Sequence, residues 1–208
     1  MTERLADKTL REFSDELASD APVPGGGSAA AYAGALGAAL AAMVARIAMK
    51  KSDDAALREY VAEMENLRAD FLRLVDDDSA AYARVSEAMK LPKATDDEKK
   101  ARTERLQVAL LAASRVPLEV AKTGRRLLEA CERGLAKAPA AAVSDLGVGA
   151  LMAEAALRGA AMNVMINLSS LKDHAQVKAL SEDLDRAIEG ADAQRKKITD
   201  FVESRIAR

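Results

Sequence analysis

The stretch GGGS at positions 25–28 lies near the start of a run, 22–45, that contains no charged residue. If a helix begins there, its first backbone amides lack acceptors within the helix and carry the positive end of the helix dipole. Such amides can bind an anion or a carbonyl oxygen of a ligand. The same residues also fit a tight turn before a buried helix that Ser28 caps. The residues alone leave these two interpretations open.

Phosphate loops and membrane spans explain this stretch less well. A Walker A loop requires a lysine that GGGSAAAY lacks, and a Rossmann loop requires a preceding strand, which SDAPVP does not favour. The uncharged run is long enough to cross a bilayer, but alanine and glycine contribute little to insertion, and no second span is evident. We therefore expect a close-packed helix in which Gly27, Gly34 and Gly37 share one side and let another backbone approach.

Carboxylates that could stabilise a cation or accept a proton from water occur at two places. Three aspartates, DDD at 76–78, interrupt a helical apolar pattern that continues through Tyr82, so they cannot all face solvent equally. Asp78 and Tyr82 are one helical turn apart and can touch. Asp145 follows Ser144 at a predicted helix start, where the dipole favours an acidic residue whether or not it has a function.

Two asparagines, Asn163 and Asn167, lie one turn apart in an otherwise apolar stretch. Buried amides require hydrogen-bond partners, so we expect them either to contact a ligand or to bridge backbones across a dimer interface. Asn163 follows Asp145 by eighteen residues, which is about 27 Å along an unbroken helix. One ring system therefore cannot contact both from a single straight helix. Four arrangements are compatible with this separation: a long ligand, separate sites, a bend near Gly147 or Gly149, or a site completed by a second copy of the chain.

Composition argues against several other kinds of site. The net charge of −2 gives no general attraction for nucleic acid or an anionic membrane. The only histidine, His174, has no Cys, His or acidic cluster at ligand spacing, so we expect no metal. Cys131 is the only cysteine and is expected in the core, which fits a reducing cytosol. The charged N-terminal sequence lacks an apolar signal core, so we predict a cytoplasmic protein that is not bound to a membrane.

The elements that must position these residues are helices throughout, because apolar residues recur at helical spacing and alternating patterns are absent. TDDE at 95–98 is a capping-box pattern, and Pro117 is expected to kink or split the helix that follows. We predict an all-α fold with a single domain, 1–208, of long antiparallel helices arranged as a bundle. The six predicted helical regions cover residues 7–19, 28–50, 54–89, 95–135, 144–171 and 175–206.

Four segments, in order along the chain, carry a family resemblance: PVPGGGSAAAYAGALGAALAAMV, LVDDDSAAYARVSEAMKLPK, SRVPLEVA and SDLGVGALMAEAALRGAAMNVMINL. Together they resemble the cyclodeaminase/cyclohydrolase family of folate enzymes. The resemblance implies an all-helical homodimer that binds a folate substrate and needs no other cofactor. Without the transferase domain of the fused members, it implies hydrolysis of 5,10-methenyltetrahydrofolate to 10-formyltetrahydrofolate. The alternatives are formiminotetrahydrofolate cyclodeaminase activity, with ammonia release, and a helical folate-binding or scaffold protein without turnover.

The resemblance also assigns roles to polar residues at motif positions. Asp145 and Asp76 are the expected catalytic carboxylates, which deliver water to the cationic methenyl carbon and a proton to N5. The expected substrate-binding residues are Gly25, Gly26, Gly27, Ser28, Asp78, Tyr82, Lys93, Ser144, Asn163 and Asn167. One departure from the family pattern precedes Ser144, because many relatives carry asparagines where this chain has KAPAAAVSD.

Overall fold

The computed structural model describes residues 4–52 and 54–207, and helices make up all the regular structure of these residues. The α-helices are α1 (Leu10–Leu17), α2 (Gly26–Met49), α3 (Ala55–Lys90), α4 (Asp96–Gly134), α5 (Val143–Leu168), α6 (His174–Ile188) and α7 (Ala191–Ile206). Short 3-10 turns lie at Leu5–Asp7, Leu135–Lys137 and Ala140–Ala142. The predicted all-α fold is confirmed.

Helices α2 to α5 form an up-down-up-down bundle, in which each helix packs against the next and α5 closes against α2. The contacts between α2 and α5 show that they are antiparallel. Gly37 lies beside Gly149, whereas Ala30, nearer the start of α2, lies beside Gly159. Helix α6 packs on α4, and α7 packs on α5. Short connections between long helices favour this arrangement, because consecutive helices then pack as antiparallel neighbours.

Glycines allow the backbones of α2 and α5 to touch. A Cβ atom added at Gly37 would lie 2.8 Å from the carbonyl oxygen of Gly149, and one added at Gly149 would lie 3.1 Å from the carbonyl oxygen of Gly37. Gly34 lies against the ring of Phe71 on α3, and Gly27 also faces α3. The expected close approach is confirmed, although the three glycines expected on one side, Gly27, Gly34 and Gly37, face two different neighbours.

Two local signals in the sequence have different outcomes. The capping box is present, since the Glu98 amide donates to Thr95 Oγ1 at 3.2 Å and the Thr95 amide donates to the Glu98 carboxylate at 3.0 Å. The single helix predicted over 175–206 is wrong, because Gly190 adopts a left-handed φ of 69° and separates α6 from α7. Glycine takes this conformation without a Cβ clash.

Two segments, Gly26–Met49 and Ala140–Leu168, are long and apolar enough to cross a membrane on length and composition alone. The expectation of only one such segment is therefore wrong. Much of each apolar stretch, 61% and 50% respectively, is buried inside the bundle. The apolar character of both helices fits their central positions, where they pack against each other.

Both central helices also carry large apolar side chains that the bundle leaves exposed. These side chains recur at helical spacing, so they lie on one side of each helix. Their exposed fractions run from 38% to 66%, which is high for large apolar residues. We call this surface the α2/α5 face, and it consists of Leu36, Met43, Val148, Leu151, Met162 and Ile166.

Candidate active site

Helix α2 begins at Gly26 with Gly25 as its N-cap residue, and no side-chain hydrogen bond caps it among the residues described. The predicted capping role of Ser28 is wrong, because the helix starts two residues earlier and Ser28 occupies its third position. The backbone amides of Gly26 and Gly27 have no acceptor within the helix. They form the positive end of the dipole of a 24-residue helix.

Ser28 instead hydrogen-bonds across to α3. Its hydroxyl oxygen lies 2.9 Å from Oδ2 of Asp78, 3.1 Å from the backbone oxygen of Val75 and 3.2 Å from Oγ of Ser79. Ser28 is 0% exposed, so a ligand cannot reach it in this conformation. Its hydroxyl holds the carboxylate of Asp78 against the start of α2.

The carboxylate of Asp78 occupies space that only a glycine at position 27 leaves free. A Cβ atom added at Gly27 would lie 2.6 Å from Cγ and 2.7 Å from Oδ2 of Asp78, well inside normal contact distance. The carboxylate can therefore lie directly on the first turn of α2. The start of the helix and Asp78 form one packed unit.

Burial raises the pKa of the Asp78 carboxyl, because desolvation disfavours its charged form. Hydrogen bonding from the side chain and backbone of Ser28 lowers this pKa but does not cancel the effect of burial. A raised pKa makes the carboxylate a better proton acceptor, which suits it to general acid–base chemistry.

Asn163 of α5 lies on another side of the same helix start. A Cβ atom added at Gly26 would meet its Nδ2 at 3.4 Å and its Oδ1 at 3.7 Å. The amide nitrogen donates to the carbonyl of Gly159 at 2.9 Å, which holds the side chain along α5. We call the group that meets here the helix-start cluster, and it consists of Gly26, Gly27, Ser28, Asp78 and Asn163.

Tyr82 and Lys93 lie beyond the cluster along the chain. Tyr82 follows Asp78 by one turn and is 43% exposed, so part of its ring is available to a ligand. Lys93 is exposed in the connection between α3 and α4. Because α3 extends twelve residues past Asp78, that connection lies about 18 Å further along the helix. Only an elongated ligand can reach from the cluster to Lys93.

Asp76 does not join the helix-start cluster, because two residues along a helix correspond to about 200° around its axis. Its carboxylate accepts hydrogen bonds from Arg4 Nε at 2.9 Å and from the Ala6 amide at 3.3 Å. These contacts fasten the first 3-10 turn of the chain to α3 and give Asp76 a structural role. The catalytic role expected for Asp76 stays a prediction.

Ser144 and Asp145 lie in the first turn of α5, at the opposite end of that helix from Asn163. Helix α5 continues without interruption through Gly147 and Gly149. A separation of about 27 Å therefore lies between Asp145 and Asn163 within one chain. The structure does not bring Asp145 or Ser144 to the helix-start cluster of the same chain.

Sequence comparison relates the chain to known proteins. A profile of the formiminotransferase-cyclodeaminase family matches residues 9–186. The chain belongs to this family. The methenyltetrahydrofolate cyclohydrolase of Methylorubrum extorquens is 37% identical to it over 204 residues, which cover 96% of this chain and 98% of that protein.

The chain is also similar to two proteins that are named as cyclodeaminases. The formimidoyltransferase-cyclodeaminase of Sus scrofa is 35% identical over 98% of this chain, which spans 38% of that longer protein. The crystal structure of the formiminotetrahydrofolate cyclodeaminase of Thermotoga maritima matches with a TM-score of 0.83 at 27% identity. That match covers 95% of this chain and 97% of the other, so the two chains share one fold.

In this member of the formiminotransferase-cyclodeaminase family, Asn167 compensates for a proline in α4. Pro117 has no amide hydrogen, so the carbonyl of Ala113, four residues earlier, loses its helical donor. Nδ2 of Asn167 donates to that carbonyl at 2.9 Å. Helix α4 continues through Pro117, so the proline does not split it, and the alternative expectation of a kink stays a prediction. Asn167 bridges α5 to α4 rather than joining the helix-start cluster.

Replacing Asn167 by alanine is expected to destabilise the protein by about 1–3 kcal/mol, because the Ala113 carbonyl loses the donor that replaces its helical one. In a chain that also carries Pro117→Ala, the helix supplies its own amide, and the cost of Asn167→Ala should fall below about 1 kcal/mol. Urea unfolding of the four variants measures this coupling. Equal costs in the two backgrounds would contradict the compensating role.

Ser79 is the residue of this site that sequence reasoning missed. Its hydroxyl lies 3.2 Å from that of Ser28. The available signal is its place directly after Asp78 in DDDSAAY. This position indicates a role for Ser79 only once the structure shows that Asp78 is the aspartate that faces α2.

Proposed function

We propose that this family member hydrolyses 5,10-methenyltetrahydrofolate to 10-formyltetrahydrofolate. The observation that carries the proposal is the Asp78 carboxylate, which is largely buried, has a raised pKa and lies against the uncapped start of α2. The full-length likeness to a methenyltetrahydrofolate cyclohydrolase supports this choice of substrate. The reaction consumes water and the folate substrate alone, so the proposal includes no metal and no organic cofactor.

The methenyl bridge of the substrate is an amidinium cation, so its carbon is electrophilic. Asp78 stabilises this cation and accepts a proton from a water molecule as the water oxygen bonds to the carbon. The bond between the carbon and N5 then breaks, and N5 takes the proton from Asp78. The hydroxyl on the carbon loses its proton as the formyl group forms on N10. Each turnover adds one water and releases one proton.

The groups around Asp78 suit the rest of the substrate. The amides of Gly26 and Gly27 can donate to the carbonyl oxygen of the pterin, as helix starts do for anions and carbonyls. Asn163 can pair with the polar edge of the ring, and the exposed part of Tyr82 can stack on it. The glutamate tail makes the substrate long enough to reach the connection that holds Lys93.

An absorbance assay with purified protein and 5,10-methenyltetrahydrofolate tests the proposal. We expect the substrate absorbance to fall at a rate proportional to enzyme concentration and well above the rate in buffer. A rate equal to that of buffer would overturn the proposed hydrolysis. An inactive wild-type protein that still binds the folate would point instead to a non-catalytic binding protein.

Closure of 5-formiminotetrahydrofolate with release of ammonia is the second candidate. The structural likeness to a formiminotetrahydrofolate cyclodeaminase favours it. The same carboxylate can serve, because Asp78 can give a proton to the departing ammonia. Measurement of ammonia from the formimino substrate distinguishes the two. Ammonia release without hydrolysis of the methenyl compound would favour the second candidate.

We also propose that two copies of the chain form a homodimer through the α2/α5 face. The face consists of six large, exposed apolar side chains on two neighbouring antiparallel helices. Several large exposed apolar side chains on neighbouring helices are typical of protein–protein contacts in soluble proteins. A two-fold axis through the face brings the same surface of each copy together, as a closed dimer requires.

This dimer provides a role for Asp145. The midpoint between Asp145 and Asn163 is position 154, which lies between the exposed residues Val148 and Ile166 of α5. A two-fold axis near that position makes the two copies of α5 cross in antiparallel directions. Asp145 of the partner subunit then faces the end of α5 that carries Asn163. The proposed site combines Asp78 from one subunit with the partner subunit's Asp145.

Subunit exchange between two inactive variants tests this arrangement. We expect Asp78→Asn and Asp145→Asn each to lose most activity as pure homodimers. In an equal mixture half of the dimers are mixed, and each mixed dimer has one intact site, so about a quarter of wild-type activity returns. If both residues act within one chain, no mixed dimer has an intact site and no activity returns. If sedimentation shows that the protein is a monomer, the proposed dimer itself is contradicted.

A cytosolic location fits the proposed reaction. Cys131 is a free and buried thiol, which is compatible with a reducing compartment. The two segments that are apolar enough to cross a membrane are half or more buried inside the bundle. Fractionation of cells that express the untagged chain tests the location, and recovery in the membrane fraction would contradict it.

A further inference from the structure

The hydroxyl of Ser28 has more acceptors than it has hydrogens. It lies 2.9 Å from Oδ2 of Asp78 and 3.1 Å from the backbone oxygen of Val75. Its single hydrogen can serve only one of these acceptors at a time. Rotation about the Cβ–Oγ bond of Ser28 moves the hydrogen from one acceptor to the other without moving a heavy atom.

These two arrangements match the two protonation states of Asp78. When Asp78 is ionised it can only accept, and the Ser28 hydroxyl donates to Oδ2. When Asp78 takes a proton on Oδ1, the Ser28 hydroxyl still donates to Oδ2; when the proton lies on Oδ2, Asp78 donates to Oγ of Ser28, which then donates its own hydrogen to the Val75 oxygen. Both states keep the carboxyl and the buried hydroxyl hydrogen-bonded. Ser79, with Oγ at 3.2 Å from that of Ser28, can donate to Ser28 in the first state.

We propose that Ser28 is a positioning residue whose hydroxyl holds Asp78 in one place both before and after it takes up a proton. The inference rests on the proposed function, in which Asp78 carries the proton from water to N5. It replaces the substrate contact expected for Ser28, and it explains why a reactive site contains a fully buried hydroxyl. A carboxyl that stays in place can serve both proton transfers of the reaction.

The surroundings of Asp78 leave Ser28 as its principal polar partner in the described structure. On α3 the ionisable residues close to Asp78 in sequence are Asp77, which pairs with Arg73, Asp76, which pairs with Arg4, and Tyr82. Helix α2 faces Asp78 with uncharged residues, and α5 contributes the uncharged Asn163 near the same helix start. Burial raises the pKa of Asp78, and Ser28 is the group that lowers it.

Carbon-13 NMR titration of the Asp78 carboxyl, assigned with Asp78→Asn, tests this inference without a turnover assay. We expect Ser28→Ala to move the titration midpoint to higher pH, because the ionised form loses its buried donor. The acid limb of the plot of kcat against pH should also move to higher pH. At a pH on that limb, kcat should fall by about tenfold or more while KM stays within about twofold.

Ser79→Ala is the matched control, because its hydroxyl contacts that of Ser28 and not the carboxylate, so the midpoint should move less. If Ser28→Ala does not fold, Ser28→Cys keeps the size with a weaker donor and should move the midpoint in the same direction. An unchanged midpoint in a folded variant overturns the inference. If the midpoint shifts but the protein does not turn over folate, the hydrogen-bond arrangement is supported and only the proposed function is contradicted.

Discussion

Asparagine in place of Asp78 is expected to lower kcat by about 10²–10⁴-fold, because a carboxamide cannot accept a proton from water or return one to N5. The side chain keeps nearly the same shape, and Ser28 can still donate to its amide oxygen. The start of α2 should therefore keep its geometry. Steady-state rates with 5,10-methenyltetrahydrofolate measure the loss, and a thermal melt shows that the protein remains folded.

The two preceding aspartates are matched controls for this substitution. Asp77→Asn removes a surface ion pair to Arg73 and should leave kcat within about twofold. Asp76→Asn removes the charge that pairs with Arg4 and weakens the hydrogen bonds from Arg4 and Ala6, so if the role of Asp76 is structural it should loosen the N-terminal turn with little effect on kcat. A loss for Asp76→Asn as deep as that for Asp78→Asn would instead support the catalytic role expected for Asp76 from the sequence.

Gly27→Ala is expected to reduce kcat by about 10²-fold, although it adds only one methyl group. The new Cβ atom would lie 2.6 Å from Cγ of Asp78, so the carboxylate must move away from the helix start. A displacement of about 1 Å from the productive geometry can cost this much activity. Stopped-flow rates at saturating substrate measure the effect, and the NMR signal of Asp78 reports its displacement.

Gly26→Ala is the control for Gly27→Ala, since it adds the same methyl group one residue earlier. Its Cβ atom meets Asn163 at 3.4 Å and 3.7 Å, which is ordinary contact, so Asp78 stays in place. The methyl group stands where a ligand approaches the backbone amide, so we expect a higher KM with kcat nearly unchanged. A normal kcat for Gly27→Ala would show that the position of Asp78 does not limit the reaction.

Most helices could be predicted because their signals are local. The boundaries of α2 to α5 follow from apolar spacing and from signals such as the Thr95 capping box, which the structure contains. The break at Gly190 was missed because the helical spacing of apolar residues continues across it. Helix α4 runs through Pro117 because a distant side chain, that of Asn167, supplies the missing donor. No local pattern contains that information.

The composition of the site was partly predictable, but the roles of its members were not. The glycines at 25–27 and the aspartates at 76–78 could be chosen from residue type and spacing. Neighbouring residues on a helix point about 100° apart, so only the packing of α3 on α2 decides which aspartate faces Gly27. The partners of Ser28 lie forty-seven or more residues away, beyond the reach of any local pattern.

The contact between Gly37 and Gly149 clamps α2 to α5 at a point about 16 Å from Gly26 along the helix. A helix held rigidly at mid-length transmits a small tilt there to its end. Enlarging Gly37 is therefore expected to shift the amides of the first turn relative to Asp78 and Asn163. Changes in catalysis can then originate three turns from the helix-start cluster.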